Sequence, residues 1–278
     1  MNKRERQFVA VVWEYYRQYG RHDLPWRKTQ DPYQIVISEM MLQQTQVERV
    51  VPKYRAFLKE FPTARRLAAA PLRDVLHVWQ GLGYNRRAKF LWQTAQQVMN
   101  DWKGKWPMDE SGLRSLPGIG LYTASAVMAF AHNHPTVLIE TNVRQVFLHH
   151  FFKNKREVPD TDILKLVEKT LLRENPREWY WALMDYGAHL KKEYGNINHT
   201  SKHYSKQSTF KGSDRQIRGA IIKVLTRVQT PLTKKRLHDL LIEAEPRLAQ
   251  VAPRVAKQLA ELQEEGFVTY AARKYQLA

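Results

Sequence analysis

Apolar positions recur at helical spacing through most of the chain up to about Leu190. Phe8, Val11, Val12, Tyr15 and Tyr16 form one stripe; Ile35, Val36, Met40 and Leu42 lie on another helix, with Glu39 among them. Leu67, Val75, Leu76 and Trp79 line two more. The segments are short. They break at Leu24-Pro25, Asp31-Pro32, Phe61-Pro62, Ala70-Pro71, Gly81-Leu82-Gly83 and Trp106-Pro107, where proline removes a backbone donor or glycine opens a turn. The pattern predicts a compact all-helical domain over residues 1–190.

From about Lys191 the chain turns to Lys, His, Ser, Asn and Gln, which predicts a basic linker or open loop over 191–212. Structure then resumes over 213–278. One helix carries Ile217, Ile221, Ile222 and Leu225; a second, capped by Thr233, carries Leu237, Leu240 and Leu241; a third carries Val255, Leu259 and Leu262 and ends at Gly266. Two short strands follow, Phe267 to Tyr270 and Lys274 to Leu277. Three helices and a hairpin are the order of a winged helix, a small α+β domain. Arg254 and Lys257 on its third helix and Arg273 and Lys274 in its wing are candidate phosphate contacts. The same fold also serves as a dimerisation or docking module.

Charge points to a polyanion. The chain of 278 residues holds 45 Lys+Arg against 27 Asp+Glu, a formal net charge of +18, and a sequence pI near 10.0. A mean hydropathy of −0.57 argues against a membrane protein. The charged start Met1-Asn2-Lys3-Arg4-Glu5-Arg6 leads into an amphipathic segment rather than an apolar signal core, so an intracellular protein is expected. With no cysteine, disulfides, thiolate catalysis and cysteine-ligated metal centres are excluded.

Two neighbouring segments carry candidate chemistry. Leu116-Pro117-Gly118-Ile119-Gly120-Leu121-Tyr122-Thr123-Ala124 reads as a phosphate-gripping hairpin: its glycines permit a tight turn and close approach of a ligand, and the next helix directs N–H groups and a positive dipole end outward. An ordinary helix-turn-helix packed in a core is the alternative. Glu140 then stands at a helix start before Thr141-Asn142-Val143-Arg144.

Four motifs together carry a resemblance. Ile37-Ser38-Glu39-Met40-Met41-Leu42-Gln43-Gln44-Thr45-Gln46-Val47, Gly81-Leu82-Gly83-Tyr84, Leu116 to Gly120, and Asn142-Val143-Arg144 are similar, in order, to the helix-hairpin-helix DNA glycosylases, most closely the MutY-like adenine glycosylases. The similarity runs from about Trp13 to Ala188. It implies two helical subdomains with a DNA-binding cleft between them, and hydrolysis of an N-glycosidic bond through an oxocarbenium-like sugar cation.

By this resemblance Glu39 donates a proton to the departing base, its carboxyl kept protonated by burial among Ile35, Val36 and Met40. Glu140 matches the family's catalytic aspartate but is longer by one methylene. The extra reach displaces the carboxylate by roughly 1.5 Å if the backbone stays in place, so either the site is rebuilt around Glu140 or activity is weakened. Asn142 orients that carboxylate or a water, or is a helix N-cap. Tyr122 stands where bifunctional lyases of the superfamily carry lysine and MutY-like enzymes usually carry serine; tyrosine is similar to the thymine glycosylases acting on G·T mismatches. Without an amine at this position, no AP-lyase activity is expected.

Gln44 and Tyr84 match the wedge residues that fill the gap left by an extruded nucleotide. Arg86, Arg87 and Lys89 supply phosphate contacts, as do the backbone N–H groups around Leu116, Gly118, Ile119 and Gly120, where the family's hairpin admits a monovalent cation. Most relatives carry an iron–sulfur cluster after the segment Met184 to Ala188; the cysteines are absent here. Lys191, Lys192, Lys202 and Lys206 are expected to contact DNA there instead. His199 and His203 have i, i+4 spacing without an evident carboxylate partner, and no metal is assigned to them. The 8-oxoguanine-reading domain typical of MutY is replaced by the winged helix. The resulting expectation is a monofunctional mismatch glycosylase of base excision repair, acting on double-stranded DNA at adenine opposite guanine or 8-oxoguanine. Thymine or uracil opposite guanine is the alternative target, and a catalytically weakened DNA-binding protein the alternative class.

Overall fold

The computed structural model describes residues 1–206 and 209–278. In chain order the helices are α1 (Lys3–Tyr19), α2 (Pro32–Leu42), α3 (Val47–Glu60), α4 (Ala64–Ala68), α5 (Leu72–Trp79), α6 (Arg86–Asn100), α7 (Glu110–Arg114), α8 (Leu121–Phe130), α9 (Thr141–Phe151), α10 (Asp160–Thr170) and α11 (Pro176–Tyr194). They continue with α12 (Asp214–Arg227), α13 (Lys234–Ala244) and α14 (Ala252–Glu264), joined by strands β1 (Leu232–Thr233), β2 (Val268–Ala271) and β3 (Lys274–Leu277). The chain is therefore mainly α-helical with a small winged-helix-like portion at 213–278.

Packing groups the chain differently from the three consecutive segments suggested by its sequence. One compact unit is Met1–Glu39 with Trp106–Lys206, the other Met40–Lys105 with Gln207–Ala278. The division falls within α2, between Glu39 and Met40.

In the first unit, α8 is buried from Thr123 to Phe130, which explains its nearly uniform small and apolar sequence. Arg177 closes its C-terminal end, donating to the carbonyls of Phe130 at 2.6 Å and Ala131 at 3.0 Å. Asn2 and Glu5 form a reciprocal capping box at the start of α1. Helices α9 and α11 pack closely at Gly187, where an added Cβ would lie 2.2 Å from the Asn142 carbonyl oxygen. Gly187→Ala must therefore push the two helix backbones apart. It is expected to cost about 3 kcal/mol by overpacking, read as a lower urea midpoint than wild type.

The segment expected to be a basic linker is instead tied down in this unit. The Gln145 side chain, fully buried, donates to the Gly195 carbonyl at 2.8 Å and accepts from the Ile197 N–H at 3.1 Å and the Asn198 amide at 3.2 Å. Val158 and Ser201 form a parallel bridge. One buried amide thus satisfies a backbone that lacks apolar residues to anchor it, which is why its composition resembles that of a loop.

In the second unit, Trp79 is fully buried, its ring 5.9 Å from Phe57, and its indole N–H donates to the Gly83 carbonyl at 3.1 Å. Helix α12 packs on α5, α13 and α14. The sheet has the order β1-β3-β2, antiparallel throughout, with Leu232 opposite Tyr275 and Val268 opposite Leu277. The two-residue strand β1 was not expected from the sequence; it is too short to show alternation. Among the described residues, no helix is long and apolar enough to cross a membrane.

Candidate active site and nucleic-acid interface

Glu39 lies on α2 and is only 6% exposed. Its Oε2 accepts a hydrogen bond from the Tyr122 hydroxyl at 3.1 Å. Burial pushes its carboxyl up from 4.5 to about 7; the phenol hydrogen bond opposes this, the charge of Glu140 adds to it and Arg27 opposes it. The group is thus poised to carry a proton near neutral pH. The Tyr122 hydroxyl is itself pushed well above its ordinary value, by burial first and by Glu39 and Glu140 next, so it stays a neutral donor.

Glu140 is the N-cap of α9. Its Oε1 accepts from the N–H groups of Asn142 at 2.7 Å and Val143 at 2.8 Å, and its Oε2 from the Thr141 hydroxyl at 3.0 Å and the Asn142 side-chain amide at 3.2 Å. The longer side chain folds back onto its own helix and keeps the capping bonds a shorter acid would make. Four donors and the positive end of α9 favour the ionised form. Asn142 is not the cap; its amide orients the carboxylate, one of the two roles anticipated for it. One acid that holds its proton and one held as an acceptor are the two halves of acid-assisted glycoside chemistry.

The hairpin joins α7 to α8. Leu116 and Ile119 are buried and Gly118 has φ +73°, a backbone region that suits glycine. The Ile119 N–H is engaged by the Leu116 carbonyl at 3.2 Å, so it is not among the groups offered outward. Gly120 is the N-cap of α8 without a side-chain cap, and Leu121 beyond it is 57% exposed. A helix start of this kind suits an anion. Lys191, Lys192, Lys202 and Lys206 are all exposed.

In the second unit, Gln44 and Tyr84 both adopt positive φ, 54° and 49°. Both loops are held by Arg87, expected from the sequence as a phosphate contact. The structure corrects that expectation: the Arg87 side chain is turned inward. Its Nη1 donates to the carbonyls of Met40 at 2.8 Å, Met41 at 3.0 Å and Gln43 at 2.5 Å. Its Nη2 donates to the Thr45 hydroxyl at 3.2 Å and to the carbonyls of Leu82 and Gly83, each at 3.1 Å. The guanidinium caps the C-terminal end of α2 and ties the Gln44 loop to the Tyr84 loop. Burial pushes it down to about 10, still charged at neutral pH.

Two guanidinium groups lie over the Tyr84 ring, Arg87 at 5.3 Å and Arg215 at 5.2 Å, and Arg215 also donates to the Tyr84 hydroxyl. Other cations expected at phosphates have internal partners. Arg86 makes a two-pronged pair with Glu265, at 2.8 and 2.5 Å, and Lys89 donates to the carbonyls of Glu265 and Gly266. Arg254 pairs with Asp214 at 2.6 Å and Lys257 approaches Glu261 at 3.9 Å.

Sequence reasoning missed Gln145, Gly187 and Arg215. Of these, only Gly187 carried a signal, a glycine inside a helical pattern. An iron–sulfur cluster does not fit this chain: there are no thiolates to ligate it, and Gln145 closes the segment after α11. Among the described residues, no group of three or more His, Cys, Asp or Glu could hold a metal ion.

Comparison with known proteins agrees with this arrangement. Residues 37–171 match the family described as HhH-GPD superfamily base excision DNA repair protein. An adenine DNA glycosylase of Buchnera aphidicola subsp. Baizongia pistaciae is 35% identical over 185 residues, which cover 65% of this chain and 52% of that protein. The match thus spans about half the length of that relative. The thymine/uracil-DNA glycosylase of Pyrobaculum aerophilum is 35% identical over 186 residues, covering 65% of this chain and 81% of that protein. The solved structure of a thermostable thymine-DNA glycosylase superposes with a TM-score of 0.60 at 28% identity, over 67% of this chain and 87% of that one. With this extent of similarity spanning the hairpin and both acids, the chain belongs to the HhH-GPD superfamily of base excision DNA repair proteins.

Proposed function

We propose that the protein is a monofunctional, mismatch-directed DNA N-glycosylase that excises adenine opposite guanine or 8-oxoguanine. The observation that carries this reading is the buried Glu39 carboxyl, held by Tyr122 and pushed up to about 7. In the reaction the glycosidic C–N bond breaks, its electron pair leaves with the base, and Glu39 supplies the proton that lets the base depart neutral. The Glu140 carboxylate faces the positive charge developing on the sugar. Water then adds to the sugar carbon and loses its proton to a carboxylate, leaving an abasic site. Arg86, Arg254, Lys257, Lys202 and Lys206 would contact phosphates, the paired ones by exchanging partners. Gln44 and Tyr84 would fill the gap in the stack. Carbonyls of the hairpin retain lone pairs suited to a monovalent cation, and no step depends on one.

Thymine or uracil opposite guanine is the second reading. Tyr122 favours it, being the residue shared with glycosylases of that specificity, as does the likeness to the Pyrobaculum protein. Single-turnover excision on duplexes containing A·G, A·8-oxoguanine, T·G, U·G and hypoxanthine pairs separates the two. Strand cleavage at one pair, appearing only after alkali, is the expected result and names the base. Trapping of a covalent adduct with borohydride would overturn the monofunctional assignment, because a phenol forms no imine. Tight binding without cleavage of any pair would make the chain a DNA-binding protein.

A further inference from the structure

The second unit contains an open groove of about 1300 Å³ that the chemistry above does not use. Gln44 and Tyr84 border it, and α12 of the winged-helix-like portion forms another wall. Its size exceeds that of pockets for drug-sized ligands, roughly 300–1,000 Å³. Three features suggest a ligand.

First, the groove is lined by two glutamines with buried, unsatisfied amide atoms, Nε2 of Gln80 and Oε1 of Gln258. Gln258 is only 2% exposed. A buried amide atom without a partner costs about 1–3 kcal/mol, so a bound group that pairs with it is favoured. Second, Gly219 on α12 lines the groove, and a Cβ built there meets nothing within 4 Å. Glycine inside a helix is unfavourable, and here it leaves the wall flat and low. Third, Arg49, Lys53 and Lys223 also line the groove, and none of them forms an ion pair among the described residues. By contrast, Arg86 and Arg218 on the same groove are paired with acids.

Flat space, one hydrogen-bond acceptor, one donor and free cations match a nucleotide. We propose that this groove receives the base left unpaired on the strand opposite the excised nucleotide, with Arg49, Lys53 and Lys223 on the flanking phosphates. This inference rests on the reading of the chain as a base-extruding glycosylase. Guanine has the complementary edge: its N1–H and N2 amino group donate to Gln258 Oε1 and its O6 accepts from Gln80 Nε2. In this arrangement α12 and α14 select the opposing base, a specificity function located in the winged-helix-like portion rather than at Glu39 or Tyr122.

The test uses the full chain and fluorescent duplexes carrying a tetrahydrofuran abasic analogue opposite guanine, adenine, or a second tetrahydrofuran. Wild type is expected to bind the duplex with opposing guanine about tenfold more tightly than the duplex with no opposing base. Gly219→Leu, which fills the flat wall, and Gln258→Leu, which removes the orphan acceptor, are each expected to reduce that ratio to less than threefold. Gln258→Leu should at the same time raise the urea midpoint, because an unsatisfied polar group is removed; a merely structural role would lower it. A ratio near one in wild type that still binds the abasic duplex overturns the proposal, as does an undiminished ratio in both folded variants. Failure of the glycosylase reading has a different signature: no mismatch is cut by wild type and the abasic duplexes bind no better than undamaged DNA, and the proposal then falls with it.

Discussion

Glu39→Gln is expected to lower single-turnover excision about a thousandfold, within the ~10²–10⁴ range of general acid catalysis, while duplex affinity stays close to that of wild type. The amide keeps the shape of the side chain and loses the transferable proton. In wild type the rate should be level below pH 7 and fall as pH rises through about 7, where the buried carboxyl ionises; the variant's residual rate should lack that limb. Unchanged turnover in Glu39→Gln would end the proton-donor assignment.

The same residue makes a stability prediction of opposite sign. Its carboxyl titrates near 7 in the folded chain against an ordinary 4.5, so between those values the folded state binds the extra proton. Stability is therefore complete below the unfolded value and declines as pH rises through the folded one, by on the order of 3 kcal/mol in total. Glu39→Gln should equal wild type in stability at pH 4 and exceed it at pH 8. Urea melts at the two pH values read this directly. A site that gains stability when its function is removed is the mark of a group buried for chemistry rather than for packing.

The second large effect is expected at Arg87. Arg87→Met retains much of the side chain's bulk but strips a donor from five carbonyls and one hydroxyl. Leaving several buried acceptors unpaired outweighs the relief of not burying a charge, and the expected cost is about 3–5 kcal/mol. Thermal melting should drop by on the order of 10 °C. The loops carrying Gln44 and Tyr84 hold left-handed backbone conformations, which cost about 1–3 kcal/mol each and persist only where surroundings enforce them. Their release should weaken binding to abasic-analogue duplexes more than binding to undamaged duplex. Equal weakening on both would return Arg87 to the role of a phosphate contact.

Much of this was legible along the chain. Local pattern and turn chemistry are short-range properties, so helix starts such as Thr233 before α13, the acid opening α9 and the final hairpin follow from neighbouring residues alone. The motif around Glu39 and the hairpin at Gly118 likewise reveal the family, because they are contiguous.

The fate of each charge was not legible. Arg86 finds Glu265 at a separation of 179 residues, Gln145 closes a segment 50 or more residues away, and Arg87 reaches back over more than 40 residues to the end of α2. Whether a cation meets phosphate, carboxylate or carbonyl depends on which surfaces are desolvated together, and desolvation belongs to the packed molecule. The sequence by itself determined the elements, the family and the acids; only the tertiary structure decided that Glu39 keeps its proton, that Arg87 is a fastening, and that 40–105 and 207–278 share one unit. Secondary structure is encoded by near neighbours, whereas protonation, pairing and pockets depend on groups that only folding brings together.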